Sequence, residues 1–99
     1  MSNSNLVVMT AAKAKPGKEQ GVHRALRDVA KAARTHSGCV EYRSFRSAED
    51  SAITVNFERW SSKEERDAFL AGPDVKKFIV AITGAFAESP KPVSYQEIS

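Results

Sequence analysis

Cysteine is nearly absent. Cys39 is the single one in 99 residues, so no internal disulfide can form, which fits a reducing, cytoplasmic setting. With no base marked out beside it, Cys39 reads as a small buried residue rather than a nucleophile. Histidine occurs only at His23 and His36. No cluster has metal-ligand spacing, no nucleophile–base spacing appears, and there is no glycine-rich phosphate loop. No metal site is therefore expected. Long hydrophobic runs are missing as well. The longest, Phe78 to Ala87, is interrupted by Thr83 and Gly84 and is too short to span a bilayer. Met1-Ser2-Asn3-Ser4-Asn5 has neither the basic region nor the apolar core of a signal peptide, and residues 1–5 are expected to form a disordered tail. Charge of one sign is also lacking. Fifteen Lys and Arg against twelve Asp and Glu leave a net +3, scattered along the chain, which argues against nucleic acid as a partner.

What is there is ordinary for one small soluble domain over residues 1–99: 41% hydrophobic and 27% charged residues. So short a chain buries a thin core, and pairing with a second copy is a common way to add to it.

Leu6 to Ala12 is a nearly continuous apolar run, the pattern of a strand covered on both sides, and Lys15-Pro16-Gly17-Lys18 breaks it. From Glu19 to about Thr35 the period is helical: Val22, Leu26, Val29 and Ala33 form one stripe, and Gly38 is the expected left-handed cap. Cys39 to Arg46 is a second strand, with Val40 and Tyr42 sharing one face and Arg43 and Phe45 the other. A short polar turn, Ser47 to Ser51, predicts an antiparallel hairpin into a third strand ending at Trp60. Ser61 and Glu64 have capping-box spacing, so a helix is expected over Ser61 to Ala71, carrying Phe69 and Leu70 inward. Gly72-Pro73 punctuates it, and Val75, Phe78, Ile79, Ile82 and Phe86 continue at helical spacing. Pro90-Lys91-Pro92 closes the helical region, leaving Val93 to Ile98 as the last strand.

The order β-α-β-β-α-β is the ferredoxin-like α+β arrangement: a four-stranded antiparallel sheet with helices on one face. The opposite sheet face would then need a cover, and a homodimer with two sheets face to face supplies one. RNA-recognition domains share the topology, but their third strand needs a basic residue, Gly and alternating aromatics, which Ile53 to Trp60 lacks.

The third strand carries the functional reading. Ile53, Val55 and Phe57 alternate with Thr54, Asn56, Glu58 and Trp60. An amide, a carboxylate and the only indole in one row suit a lined cavity. Asn56 and Trp60 are the candidate catalytic residues; Tyr42, Glu58, Phe69 and Phe78 are candidates for substrate binding. Each has a plainer alternative: Asn56 bonding a neighbouring backbone, Trp60 plugging the gap between sheet and helix, Tyr42 filling the core, Glu58 pairing with Arg43 or Arg59.

Several segments together resemble a known family: Ala14-Lys15-Pro16-Gly17-Lys18, Ser37-Gly38-Cys39-Val40-Glu41-Tyr42, Phe57-Glu58-Arg59-Trp60-Ser61-Ser62, the helix with Ala68 and Leu70, and Val93-Ser94-Tyr95. In that order and spacing, the chain resembles the antibiotic biosynthesis monooxygenase domain family. The resemblance implies a dimeric α+β barrel of ferredoxin-like protomers. One branch of the family oxidises phenols, anthrones or hydroquinones to quinones with O₂ and no cofactor, and Asn56 and Trp60 match its pocket pair in type and spacing. A second branch degrades haem through a His on the helix after this strand, where this chain has Phe69. The resemblance therefore implies a cofactor-free oxidation of a small aromatic. The alternative is a non-catalytic dimer that binds a small aromatic or serves in signalling.

Overall fold

The computed structural model describes residues 6–99, so the tail expected at residues 1–5 lies outside the described residues. Seven elements follow in chain order: β1 (Leu6–Ala14), α1 (Glu19–Arg34), β2 (Cys39–Arg46), β3 (Ile53–Trp60), α2 (Lys63–Leu70), α3 (Pro73–Ile82) and β4 (Phe86–Tyr95). The strands form one antiparallel sheet in the order β2-β3-β1-β4. This is the expected ferredoxin-like α+β topology, with the helical region between β3 and β4 split into two pieces.

Helix α1 forms for the reason its sequence suggests. Val22, Ala25, Leu26, Val29, Ala30 and Ala33 are all buried, at spacings of three and four, against the sheet. Burying each large apolar side chain contributes about 1.5–3 kcal/mol. The core falls into two clusters, one around Val29, Tyr42, Trp60, Phe69 and Val75, the other around Ala14, Val22, Leu26 and Ala85. Phe78 packs against both.

Several local expectations are corrected. The capping pair of α2 lies one residue later than predicted: Ser62 Oγ accepts the Glu65 backbone N–H at 3.2 Å. Gly38 is not left-handed; the described residues with positive φ are Gly17 and Gly84. Gly38 is needed instead because it is buried where a Cβ would collide with the Glu65 side chain. Phe86 does not extend α3, because Gly84, at φ +76°, reverses the chain and Phe86 opens β4. Strand β4 then runs through Pro90 and Pro92 rather than starting after them. It is an edge strand, where a residue without an N–H can sit facing outward, and its pairing with β1 shifts register between Ala11 and Ala14. A shift in the β2–β3 pairing between Cys39 and Glu41 leaves Val40 exposed, so Val40 does not share the buried side with Tyr42. In β1, Met9, Ala11 and Lys13 are exposed while Val7 on the same face is buried, so that face is covered only at the start of the strand.

The alternation of β3 is resolved in favour of the polar row. Thr54, Glu58 and Trp60 are 3%, 4% and 0% exposed, on the side of the helices, with Asn56 half-buried among them. The apolar residues Ile53 and Val55 face the uncovered side, together with Met9, Phe45, Val93 and Tyr95.

Candidate active site

The polar row of β3 acquires partners from β2 because the hairpin register sets Tyr42 opposite Glu58 and Ser44 opposite Asn56. Cross-strand neighbours on one face lie close enough for their side chains to bond. Ser44 Oγ donates to Asn56 Oδ1 at 2.7 Å, and Asn56 Nδ2 donates to the Tyr42 hydroxyl at 3.3 Å. The Tyr42 oxygen therefore accepts from Asn56 and keeps its own proton to give. Burial, and then the Glu58 carboxylate, push the Tyr42 phenol well above its ordinary range, so it stays protonated. The Arg34 guanidinium on α1 donates twice to the Tyr42 carbonyl, at 2.8 and 3.0 Å, fixing the strand beneath the side chain.

Glu58 is held from two directions. Its Oε1 accepts from Trp60 Nε1 at 2.8 Å and from Arg66 Nε at 2.9 Å, while its Oε2 receives only Arg66 Nη2 at 3.4 Å. The plainer alternative for Glu58, a pairing with Arg43 or Arg59, does not occur. Strand alternation turns those two arginines to the opposite face, where both meet Glu41. Arg66 is the missed residue. It sits on α2 amid Lys63, Glu64, Glu65 and Asp67, a run that reads as a solvated face. One turn into the helix, it reaches back to Glu58 and is 15% exposed.

Between this row and the helices lies a cavity of about 330 Å³, a size suited to a small ring compound. Tyr42, Asn56 and Glu58 form the polar floor with Thr10 and Thr54, and Arg66 enters from α2. Phe69, Val75 and Phe78 form the apolar wall; Leu70 and Ile79 lie at the exposed rim, and Pro90 and Pro92 close the β4 side. The cavity draws on both core clusters. Among the described residues, no group of three or more His, Cys, Asp or Glu could hold a metal ion.

Five of the six residues singled out from the sequence thus come together around one space: Asn56, Tyr42, Glu58, Phe69 and Phe78. Trp60 does not line it. It is fully buried, tilted against Phe69 at 5.4 Å between ring centres, with His36 edge-on at 5.7 Å. Its indole N–H is aimed at Glu58, so Trp60 acts on the cavity by orienting that carboxylate and by backing Phe69. The aromatic wall is Phe69 itself. His23 is occupied elsewhere, donating from Nε2 to the Ser51 carbonyl at 2.8 Å. The Cys39 thiol is pushed up, first by burial and then by the Glu58 charge, which disfavours the nucleophilic thiolate.

Residues 5–81 match the antibiotic biosynthesis monooxygenase family. The chain belongs to that family. Solved structures with the same fold extend the match across nearly its whole length. The Pseudomonas aeruginosa protein PA3566 superposes with a TM-score of 0.92 at 17% identity, covering 100% of this chain and 99% of its own. A candidate antibiotic biosynthesis monooxygenase from Nitrosomonas europaea gives 0.90 at 19% identity, covering 95% and 99%. The Mycobacterium tuberculosis protein Rv0793 gives 0.88 at 18% identity, covering 97% of each chain. Among curated proteins, none matches in sequence. At these identities the family's fold is shared while its side chains are largely replaced.

Proposed function

We propose that this member of the family is a cofactor-independent monooxygenase that oxidises a small phenolic, hydroquinone or polyketide-like aromatic to a quinone with O₂. The observation that carries the reading is the cavity: apolar and aromatic on the helix side, with a row of fixed hydrogen-bonding groups on the sheet side. The names given to some structural relatives point the same way.

In such a reaction the substrate supplies the electrons. Loss of a phenolic proton gives an electron-rich anion, which passes one electron to O₂. The resulting radical and superoxide join at a ring carbon as a hydroperoxide. Loss of water from that carbon leaves the carbonyl, so two substrate hydrogens leave with one oxygen atom. The protein has to hold the ring, stabilise the oxyanion and keep water out. Phe69 and Phe78 grip the ring faces. Tyr42, protonated and steadied by Asn56, donates to the substrate oxygen, and Arg66 adds a positive charge beside it.

The assembly implied is a homodimer. Met9, Phe45, Ile53, Val55, Val93 and Tyr95 expose apolar surface on the sheet face away from the helices. Such a face is suited to the same face of a second copy, giving the two-sheet barrel.

The test is oxygen uptake with a panel of hydroxyanthrones, naphthols and hydroquinones, without added flavin or metal. Quinone formation that falls at least about tenfold in Tyr42→Phe and in Asn56→Ala, with melting curves intact, supports the proposal. No uptake across the panel, with binding retained, leaves a small-aromatic-binding module.

A further inference from the structure

We infer that Glu58 Oε2 is the proton acceptor for the bound hydroxyl, and that Arg66 exchanges its partner from Glu58 to the oxyanion so formed. The inference rests on reading the cavity as a site for aromatic hydroxyl compounds, and adds what that reading leaves open: where the proton goes.

The loading of the Glu58 carboxylate is uneven. Oε1 accepts two short bonds, from Trp60 and from Arg66 Nε. Oε2 has one contact, from Arg66 Nη2 at 3.4 Å, the outer limit of a hydrogen bond. Oε1 is saturated and held; Oε2 is the oxygen with accepting capacity to spare on a carboxylate that lines the cavity. Among the described residues, no other carboxylate lines this space, and the remaining ionisable groups facing Glu58 are Arg66, Tyr42 and Cys39. Tyr42 and Cys39 both have raised ionisation points, so neither competes for the role of base.

The exchange balances. The substrate O–H bond breaks and an O–H bond forms at Oε2. Before the step the cavity holds one carboxylate and one guanidinium; after it, one oxyanion and the same guanidinium. Trp60 keeps its bond to Oε1 throughout, and Arg66 moves from the neutralised carboxyl to the oxyanion. A buried pair remains a buried pair, so no charge is left uncompensated.

The test uses 4-nitrophenol, whose anion has its own visible band, at pH values about one and two units below the free phenol's midpoint. In the wild-type protein the bound probe is expected to show the anion band. Because the proton stays on Glu58, affinity is expected to be independent of pH and calorimetry in buffers of different ionisation heat to find no proton released. In Glu58→Gln, Arg66 still attracts the anion but the proton must go to water. Affinity then falls about tenfold for each unit of decreasing pH, and about one proton is released per ligand. In Arg66→Met the probe binds as the neutral phenol, without the band. A neutral probe in the wild-type protein, release of a full proton there, pH-independent anion binding in Glu58→Gln, or no binding at all would each overturn the inference. Ionisation of the probe in a protein that consumes no O₂ with any phenol would leave this proton transfer standing and remove the monooxygenase reading instead.

Discussion

Replacing Arg66 by Met strips Glu58 of two of its three donors while leaving the carboxylate enclosed; the two side chains are 15% and 5% exposed. Breaking a buried pair from one side costs about 3–5 kcal/mol. The lower figure is the better expectation, since Trp60 still donates and the cavity can admit water beside the carboxylate. A loss of about 3 kcal/mol from a domain of this size lowers the melting temperature by about 12–24 °C. The charge origin of that loss shows when the partner is neutralised as well. The double variant Glu58→Gln/Arg66→Met leaves no unpaired charge in the enclosed site and should recover most of the difference at neutral pH. Thermal melts of the wild type and the two variants decide the matter. No recovery in the double variant would mean that packing of the Arg66 stem, not its charge, holds this corner of the fold.

Further consequences can be checked separately. The Tyr42 phenol is raised above its ordinary value of 10.0, chiefly by burial and then by Glu58, so stability should decline as pH climbs beyond about 10, where the unfolded chain ionises first; alkaline melts of Tyr42→Phe should lack that part of the slope. Gly38→Ala drives a methyl into the Glu65 side chain and should cost about 1–3 kcal/mol in urea unfolding. An unchanged midpoint would show that α2 can shift away. Val55→Lys puts a charge in the middle of the uncovered sheet face, and sedimentation should find a dimer in the wild type and a monomer in the variant; a wild-type monomer at micromolar concentration would count against the barrel.

The sheet, its antiparallel order and the long helix were legible because their signals are periodic and local. The stripe from Val22 to Ala33 can bury only one way, and the Ser47 to Ser51 turn commits its flanks to a hairpin. The end of the chain was harder. Pro90 and Pro92 look like breakers until the sheet order makes β4 an edge, a fact set by tertiary pairing. Gly84, not the prolines, is the turning point. In the site, period two put Asn56, Glu58 and Trp60 on one face but could not say which face the helices cover. Ser44 was recoverable from the hairpin register, which sets it opposite Asn56. Arg66 was not, because its direction depends on how α2 crosses the sheet and its neighbours in sequence are those of a surface helix.

The most direct test of the central claim uses the single tryptophan. Its indole N–H gives one nitrogen–proton correlation peak and is bonded to Glu58 at the cavity floor. Titrating 2-naphthol into the labelled protein should move that peak saturably, together with the amides of Tyr42, Asn56 and Phe69. An indole peak that stays in place while amides on the uncovered sheet face shift would contradict the account, since the aromatic would then be binding outside the cavity.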